Sequence, residues 1–321
     1  MRNLVQFDIS HTLRYRYSRA VFLEPHELRL QPRDAAHQRL RSFALSIEPE
    51  PAGRSQMLDA EGNSLVNIWF DGLHDELLLS VRSRVETRRT NPFDYLLQTE
   101  RHGLPLRYDA ATEAVLPLES RRRTCFGEGE GSPGTDEVAA FTERLARDQD
   151  RQLVPFLNAL NQTIYDDFEF LRREEGPPWS ADRTLAGKRG ACRDLAVLFI
   201  EACRSQGAAA RFVSGYQEGD PDQDHRDLHA WVEVLIPGAG WRGFDPTHGL
   251  AVGDGHVEVA ASVLPALATP VIGSIRGTGA TAELETHITI DVGDLAWEEI
   301  QQVPQQQQQQ EPGRGPADGR G

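Results

Sequence analysis

Alternation of apolar and polar side chains dominates the first hundred residues. Thr12-Leu13-Arg14-Tyr15-Arg16-Tyr17 has period two, as do Leu28-Arg29-Leu30 and Phe43-Ala44-Leu45-Ser46-Ile47. Leu65 to Phe70 and Leu77 to Val81 continue the series, with Ala60-Glu61-Gly62-Asn63 as a turn between strands. Period-two runs separated by turn residues roughly every ten positions predict an antiparallel sandwich or barrel.

The pattern changes beyond Phe126-Gly127-Glu128-Gly129-Glu130-Gly131-Ser132-Pro133-Gly134, a glycine-rich joint that sets a domain boundary near residue 130. Two helices are expected after it. In the second, Leu153, Phe156, Leu157, Leu160 and Ile164 recur at helical spacing and form one buried stripe. Pro155 is tolerated there because it falls in the first turn. A third helix runs from Cys192 to Gln206 and stops at Gly207, a residue suited to left-handed termination. Its buried side is expected to carry Leu195, Ala196, Leu198, Phe199 and Ala202. Strands follow at 210–216, 228–236 and 241–245, the last two joined by Pro237-Gly238-Ala239-Gly240, and 282–292 adds a final strand. The reading is α+β: a β-rich domain over 1–130, a mixed domain over 131–300 and a tail over 301–321. That tail has a glutamine run and closing Gly, Pro and Arg residues, and is expected to be disordered.

Composition narrows the function. With 39% hydrophobic and 26% charged residues, the chain reads as an ordinary soluble globular protein long enough for two cores. A formal charge of −15 argues against nucleic-acid binding. No apolar stretch approaches the roughly 20 residues of a membrane helix. The first residues lack the apolar run and cleavage site of a signal peptide, so cytoplasm is the expected location. Lys188 is the only lysine, which leaves a crosslinking enzyme few amines for self-modification.

The three cysteines, Cys125, Cys192 and Cys203, form neither a disulfide framework nor a Cys-x-x-Cys metal pair. Cys192 and Cys203 share a helix about 16 Å apart, too far for a bridge. Cys203 reads as a buried core thiol. Cys192 differs, because Gly190-Ala191-Cys192-Arg193-Asp194 opens the helix and places its sulfur at the positive end. Free N–H groups and the helix dipole favour an anion there, and a thiolate is the attacking species of acyl transfer. His229-Ala230-Trp231 and Phe244-Asp245-Pro246-Thr247 follow, so cysteine, histidine and aspartate stand in the order of a thiol triad.

The segment 189–247 resembles the core of the bacterial transglutaminase-like superfamily, through GACRDLA at 190–196, ARFVSGYQ at 210–217, HAWVEV at 229–234 and WRGFDPT at 241–247. The spacings of 37 residues from Cys192 to His229 and 16 from His229 to Asp245 are similar to those of that family. The β-rich N-terminal part also resembles the region preceding this core in bacterial homologues. The resemblance implies a papain-like fold, with Cys192 as nucleophile, His229 as base and Asp245 as orienter. It implies a cysteine peptidase, amidase or acyltransferase working through a thioester on a peptide or protein substrate. Hydrolysis is favoured over crosslinking, since no amine-acceptor site is visible. Transglutaminase or deamidase activity, or a non-catalytic peptide-binding module, are the alternatives. No cofactor is called for.

Other residues carry weaker signals. Trp179 is a candidate second oxyanion donor by proximity to the cysteine. Tyr216 ends a strand aimed at the cleft, Trp231 shares the face of His229, and His248 follows Asp-Pro-Thr; all three are candidate substrate contacts. Asp194 reads as a helix cap. His225 reads as solvent-exposed. Zinc on Cys192, His229 and Asp245, or calcium in the acidic loop 218–227, fits the residue types but is disfavoured by triad order and ligand pattern. One conflict stands: a hairpin pairing residue 236 with 241 sets Asp245 opposite Val232, so reaching His229 requires a bulge or register shift.

Overall fold

The alternating segments pair as antiparallel strands in the computed structural model, which describes residues 4–97, 102–116, 136–173, 176–219, 226–277 and 279–295. First come β1 (Leu4–Leu23), β2 (His26–Leu28), β3 (Gln38–Glu48), β4 (Gly53–Leu58), β5 (Ser64–Trp69) and β6 (His74–Thr87). After them lie α1 (Ala110–Val115), α2 (Asp136–Asp148), α3 (Leu153–Asp167), β7 (Glu169–Phe170), α4 (Ala181–Gly187), β8 (Arg189–Gly190) and α5 (Cys192–Ser205). A second strand series comprises β9 (Ala210–Gln217), β10 (His229–Ile236), β11 (Gly240–Asp245), β12 (Leu250–Ala251) and β13 (His256–Ser262). The short β14 (Val271–Ile272) and β15 (Ile275–Arg276) precede β16 (Ala282–Leu295). The α+β expectation holds. The glycine-rich joint, the tail, Cys125 and His225 lie outside the described residues.

Two sheets build the β-rich part. One orders β15, β1, β6 and β3, with β16 also on β1; the other orders β14, β2, β5 and β4. Leu13, Val21, Leu23, Leu28, Ile68, Leu77 and Leu79 fill one core with side chains from both sheets, as the period-two pattern requires. The final strand expected over 282–292 forms as β16 over 282–295. It pairs with β1 along its whole length, from Leu4 opposite Leu295 to Tyr17 opposite Ala282. β14 and β15 likewise return to β2 and β1. Residues 271–272, 275–276 and 282–295 are therefore paired with strands of the N-terminal sheets.

The second half is a sheet ordered β12-β11-β10-β9-β13 with helices against one face. α5 is its central helix. It touches β9 and β10 on one side and α2, α3 and α4 on the other, so Val197, Ile200, Glu201 and Arg204 are buried along with the expected apolar stripe. Each of its large apolar side chains contributes about 1.5–3 kcal/mol by burial. Arg204 tolerates this site by donating to the carbonyls of Ala210 and Val263, each at 2.8 Å. Gly207 closes the helix with φ +74, and a Cβ there would lie 2.5 Å from the Leu106 carbonyl oxygen. Cys203 is fully buried, and burial pushes its thiol up, leaving it inert.

A third apolar cluster joins the halves. Phe7, Ile9, Val85 and Ile288 of the N-terminal sheet pack with Tyr216, Val257 and Val259 of β9 and β13. Among the described residues no helix is long and apolar enough to cross a membrane.

Candidate active site

Cys192 is the first residue of α5 and is half-buried. Three features of its flanking sequence fix it there. Ala191 is extended (φ −76, ψ 169) and serves as N-cap. Asp194, fully buried, accepts from the Ala191 N–H at 2.9 Å with Oδ2. Its Oδ1 accepts from the Trp179 N–H at 2.7 Å and from Arg173 at 2.6 Å. The cap expected of Asp194 is thus made, and it also ties the segment before α4 to the cysteine helix. Gly190 is required by this closeness, since a Cβ there would lie 2.8 Å from Asp194 Cβ.

His229 opens β10, with its side chain 11% exposed. Val232, Val234 and Ile236 of this strand face α5, whereas Trp231 lies in a cluster with Val213, Val252 and Ala261 on the opposite face. The hairpin to β11 resolves the register conflict noted above. Ala239 N–H bonds to the Ile236 carbonyl at 2.9 Å, with Pro237 and Gly238 (φ +86) at the turn's centre, so Gly240 rather than Trp241 pairs with Ile236. Val232 then faces Phe244, which sets Asp245 opposite Trp231 and on the face of His229. Diagonal neighbours on one face are within reach of long side chains. No bulge in this hairpin is needed.

His229 Nε2 donates to Asp245 Oδ2 at 2.8 Å. Burial by itself would lower the His229 pKa; the Asp245 charge and hydrogen bond, with a hydrogen bond and charge from Cys192, raise it to about 10. The ring is therefore an imidazolium at neutral pH. With Nε2 taken by Asp245, Nδ1 is the nitrogen left for the Cys192 sulfur. Asp245 is fully buried, and although burial opposes ionisation, His229 and the surrounding donors hold its carboxyl well below the usual range.

That carboxylate serves more than His229. His248 Nδ1 donates to the same Oδ2 at 2.9 Å and His256 Nε2 at 3.0 Å, while the Thr247 N–H donates to Oδ1 at 3.0 Å. His256 is buried on β13, and burial lowers its pKa, so it donates as a neutral ring. Sequence reasoning missed it. No local pattern marks this histidine, and its approach depends on long-range pairing of β13 with β9.

The remaining expectations divide. His248 has a 39% exposed side chain with its ring 5.1 Å from that of His229, so it borders the site. Trp179 is half-buried beneath the guanidinium groups of Arg173 and Arg183, and its backbone N–H is taken by Asp194; that amide is not an oxyanion donor. Trp231 is corrected: it is buried, stacks on His229 and meets His256 edge-on. Its indole passes over Gly215, where a Cβ would lie 2.6 Å away. Tyr216 is corrected too. It is fully buried in the joint core, with its hydroxyl 3.0 Å from His11 Nδ1, because β1 covers the face that the sequence left open.

One metal-ligating grouping exists among the described residues: His229, Asp245 and His248, with ligand atoms within 4.8 Å of one another. Both nitrogens already donate to Asp245 Oδ2, so a cation there would have to displace the two protons that hold His229 and His248 against Asp245.

Residues 139–246 match the transglutaminase-like superfamily, and residues 7–86 match the bacterial transglutaminase-like N-terminal region. The uncharacterized protein Rv2569c of Mycobacterium tuberculosis is 29% identical over 269 residues, spanning 79% of this chain and 82% of that relative. The uncharacterized protein Mb2599c of Mycobacterium bovis matches to the same extent. Among solved structures, a candidate cysteine protease from Cytophaga hutchinsonii superposes with a TM-score of 0.67 over 92% of this chain and 93% of that one; at 19% identity it shows a shared fold. The chain thus carries a bacterial transglutaminase-like N-terminal region over residues 7–86, followed by a transglutaminase-like core over residues 139–246.

Proposed function

We propose that the protein is a thiol-dependent acyl-transfer enzyme acting on peptide or carboxamide bonds, with water as the usual acceptor. The observation that carries this reading is the His229–Asp245 hydrogen bond at 2.8 Å, with the Cys192 charge acting on the same ring, so that α5, β10 and β11 each supply one of the three groups.

In this reaction the Cys192 thiolate attacks the carbonyl carbon, and the His229 imidazolium gives its Nδ1 proton to the departing amine. The Cys192 backbone N–H sits in the first helical turn, where amides have no intrahelical partner, and is placed to hold the oxyanion. The neutral His229 then takes a proton from water, whose oxygen attacks the thioester; the acid leaves and the thiolate returns. Asp245 keeps Nε2 protonated throughout and so fixes which nitrogen meets sulfur. Hydrolysis is favoured because water needs no built acceptor site.

The test is incubation with a peptide library and mass-spectrometric reading of products. Cleavage supports a peptidase, a deamidation mass shift supports an amidase, and amine incorporation supports crosslinking. Cys192→Ala should abolish every product while the fold is retained. Unchanged turnover in that variant overturns the proposal, and an unmodified library with a folded wild-type protein favours a binding module.

A further inference from the structure

β13 is the outer strand of the catalytic sheet, and an outer strand presents unpaired N–H and C=O groups. Here two side-chain amides of the N-terminal region take the place of a neighbouring strand. Gln38 Nε2 donates to the Glu258 carbonyl at 2.8 Å while Gln38 Oε1 accepts from the Glu258 N–H at 2.8 Å. Asn63 does the same three residues on, with 2.9 Å bonds to both the carbonyl and the N–H of Ala261. Both amides are fully buried and further fixed: Gln38 donates to the Arg33 carbonyl at 2.7 Å, and Asn63 donates to Asp59 at 2.9 Å.

These clasps stand on either side of an irregularity. The register of β13 against β9 shifts between Glu258 and Ala260. A shift of one residue exchanges the faces of a strand, so whatever fixes the bulge decides where the side chains before it point. His256 is one of them. It pairs opposite Gln217, lies against the Trp231 ring at 5.2 Å and places Nε2 on Asp245. Of the three imidazoles on that carboxylate it is the most buried. A hydrogen bond from Thr87 Oγ1 to the Asp254 carbonyl at 2.7 Å ties the approach to β13 to the end of β6 as well.

We propose that His256 is a positioning residue for the catalytic carboxylate, and that the N-terminal region delivers it by clasping β13 with Gln38 and Asn63. The β-rich domain is thus a working part of the site, acting through β13, His256 and Asp245 on His229. This rests on the acyl-transfer reading of Cys192, but it is tested separately.

The probes are iodoacetamide, with labelling at Cys192 mapped by peptide mass, and the low-field proton resonance of His229 Nε2–H. His256→Phe keeps a ring and removes the donor. It should slow labelling at neutral pH about tenfold, the usual scale for losing a partner that orients a reactive group, and should weaken or move the His229 resonance. His256→Gln restores an N–H near the Nε2 position and should recover most of the rate. Gln38→Glu, isosteric but unable to donate to the Glu258 carbonyl, should also slow labelling, and adding it to His256→Phe should cause no further loss. If Gln38→Glu does not fold, Gln38→Met serves in its place. Wild-type labelling and an unmoved resonance in His256→Phe overturn the proposal. Multiplicative losses in the double variant overturn the role given to the clasp. Wild-type Cys192 labelling no faster than a free thiol counts instead against the acyl-transfer reading, and the resonance alone then decides the positioning.

Discussion

Asp245→Asn is the substitution on which the electrostatic argument is most exposed. It preserves shape and removes the charge that holds His229 protonated. The His229 pKa stands at about 10 against an ordinary 6.5, with burial acting to lower it and Asp245 acting to raise it. Without the carboxylate the two largest raising causes are gone and only Cys192 is left to oppose burial, so the midpoint should fall towards 6.5. A change of about 3.5 units corresponds to roughly 5 kcal/mol of preference for the charged ring, an order-of-magnitude figure. A further conflict arises in the variant. The three imidazoles donate to Oδ2 and the Thr247 N–H to Oδ1, and an amide replaces one of these oxygens with an NH2 donor, so the donors on that side lose their acceptor. The assay is a proton–nitrogen NMR titration of His229, with iodoacetamide labelling of Cys192 followed across the same pH range. Labelling at neutral pH should drop by about a hundredfold or more, towards the ~10⁴-fold cost of amide substitution in a serine-type triad. A His229 midpoint that stays near 10 in the variant, or lies near 6.5 in the wild type, refutes the reasoning.

Three further expectations use other parts of the structure. The His229–Asp245 pair makes stability pH-dependent: the raised His229 pKa contributes fully below 6.5 and is lost as pH rises through about 10, while the depressed Asp245 contributes above 3.8 and is lost as pH falls. The melting-temperature gap between wild type and Asp245→Asn should therefore be widest between about pH 4 and 6.5 and close towards pH 10; a gap that widens above pH 8 contradicts this. Gly190→Ala sets a methyl 2.8 Å from Asp194 Cβ and should cost about 1–3 kcal/mol in denaturant unfolding, with slower Cys192 labelling. Tyr216→Phe loses its bond to His11 and should cost about 1 kcal/mol while leaving Cys192 labelling unchanged, whereas a labelling defect would return Tyr216 to the site.

What the chain revealed in advance follows the range of the interactions involved. The stripe Leu153, Phe156, Leu157, Leu160 and Ile164 and the helix opening at Cys192 depend on spacing within one element, and both stand as read. The β10–β11 register was misjudged by one residue because Pro237-Gly238 forms the turn with Ala239 and leaves Gly240 in the strand. That single position decides which face Asp245 occupies. The pairing of β16 with β1 joins residues some 280 apart in sequence, and no local signal encodes it. Tyr216 was misassigned for the same reason, since the strand that buries it comes from the other end of the chain. His256 went unseen because its role exists only once Gln38 and Asn63 have fixed β13. Chemistry-bearing residues inside one short motif were legible; those assembled by sheet edges were not.

The most direct measurement is intact-protein mass spectrometry after mixing with excess peptide substrate and rapid acid quench. The account predicts an acyl adduct mapped to Cys192 as a thioester, absent from Cys192→Ala and strongly diminished in His229→Ala. Turnover of substrate with no adduct on Cys192 at any quench time, or an adduct that forms equally well without His229, contradicts it.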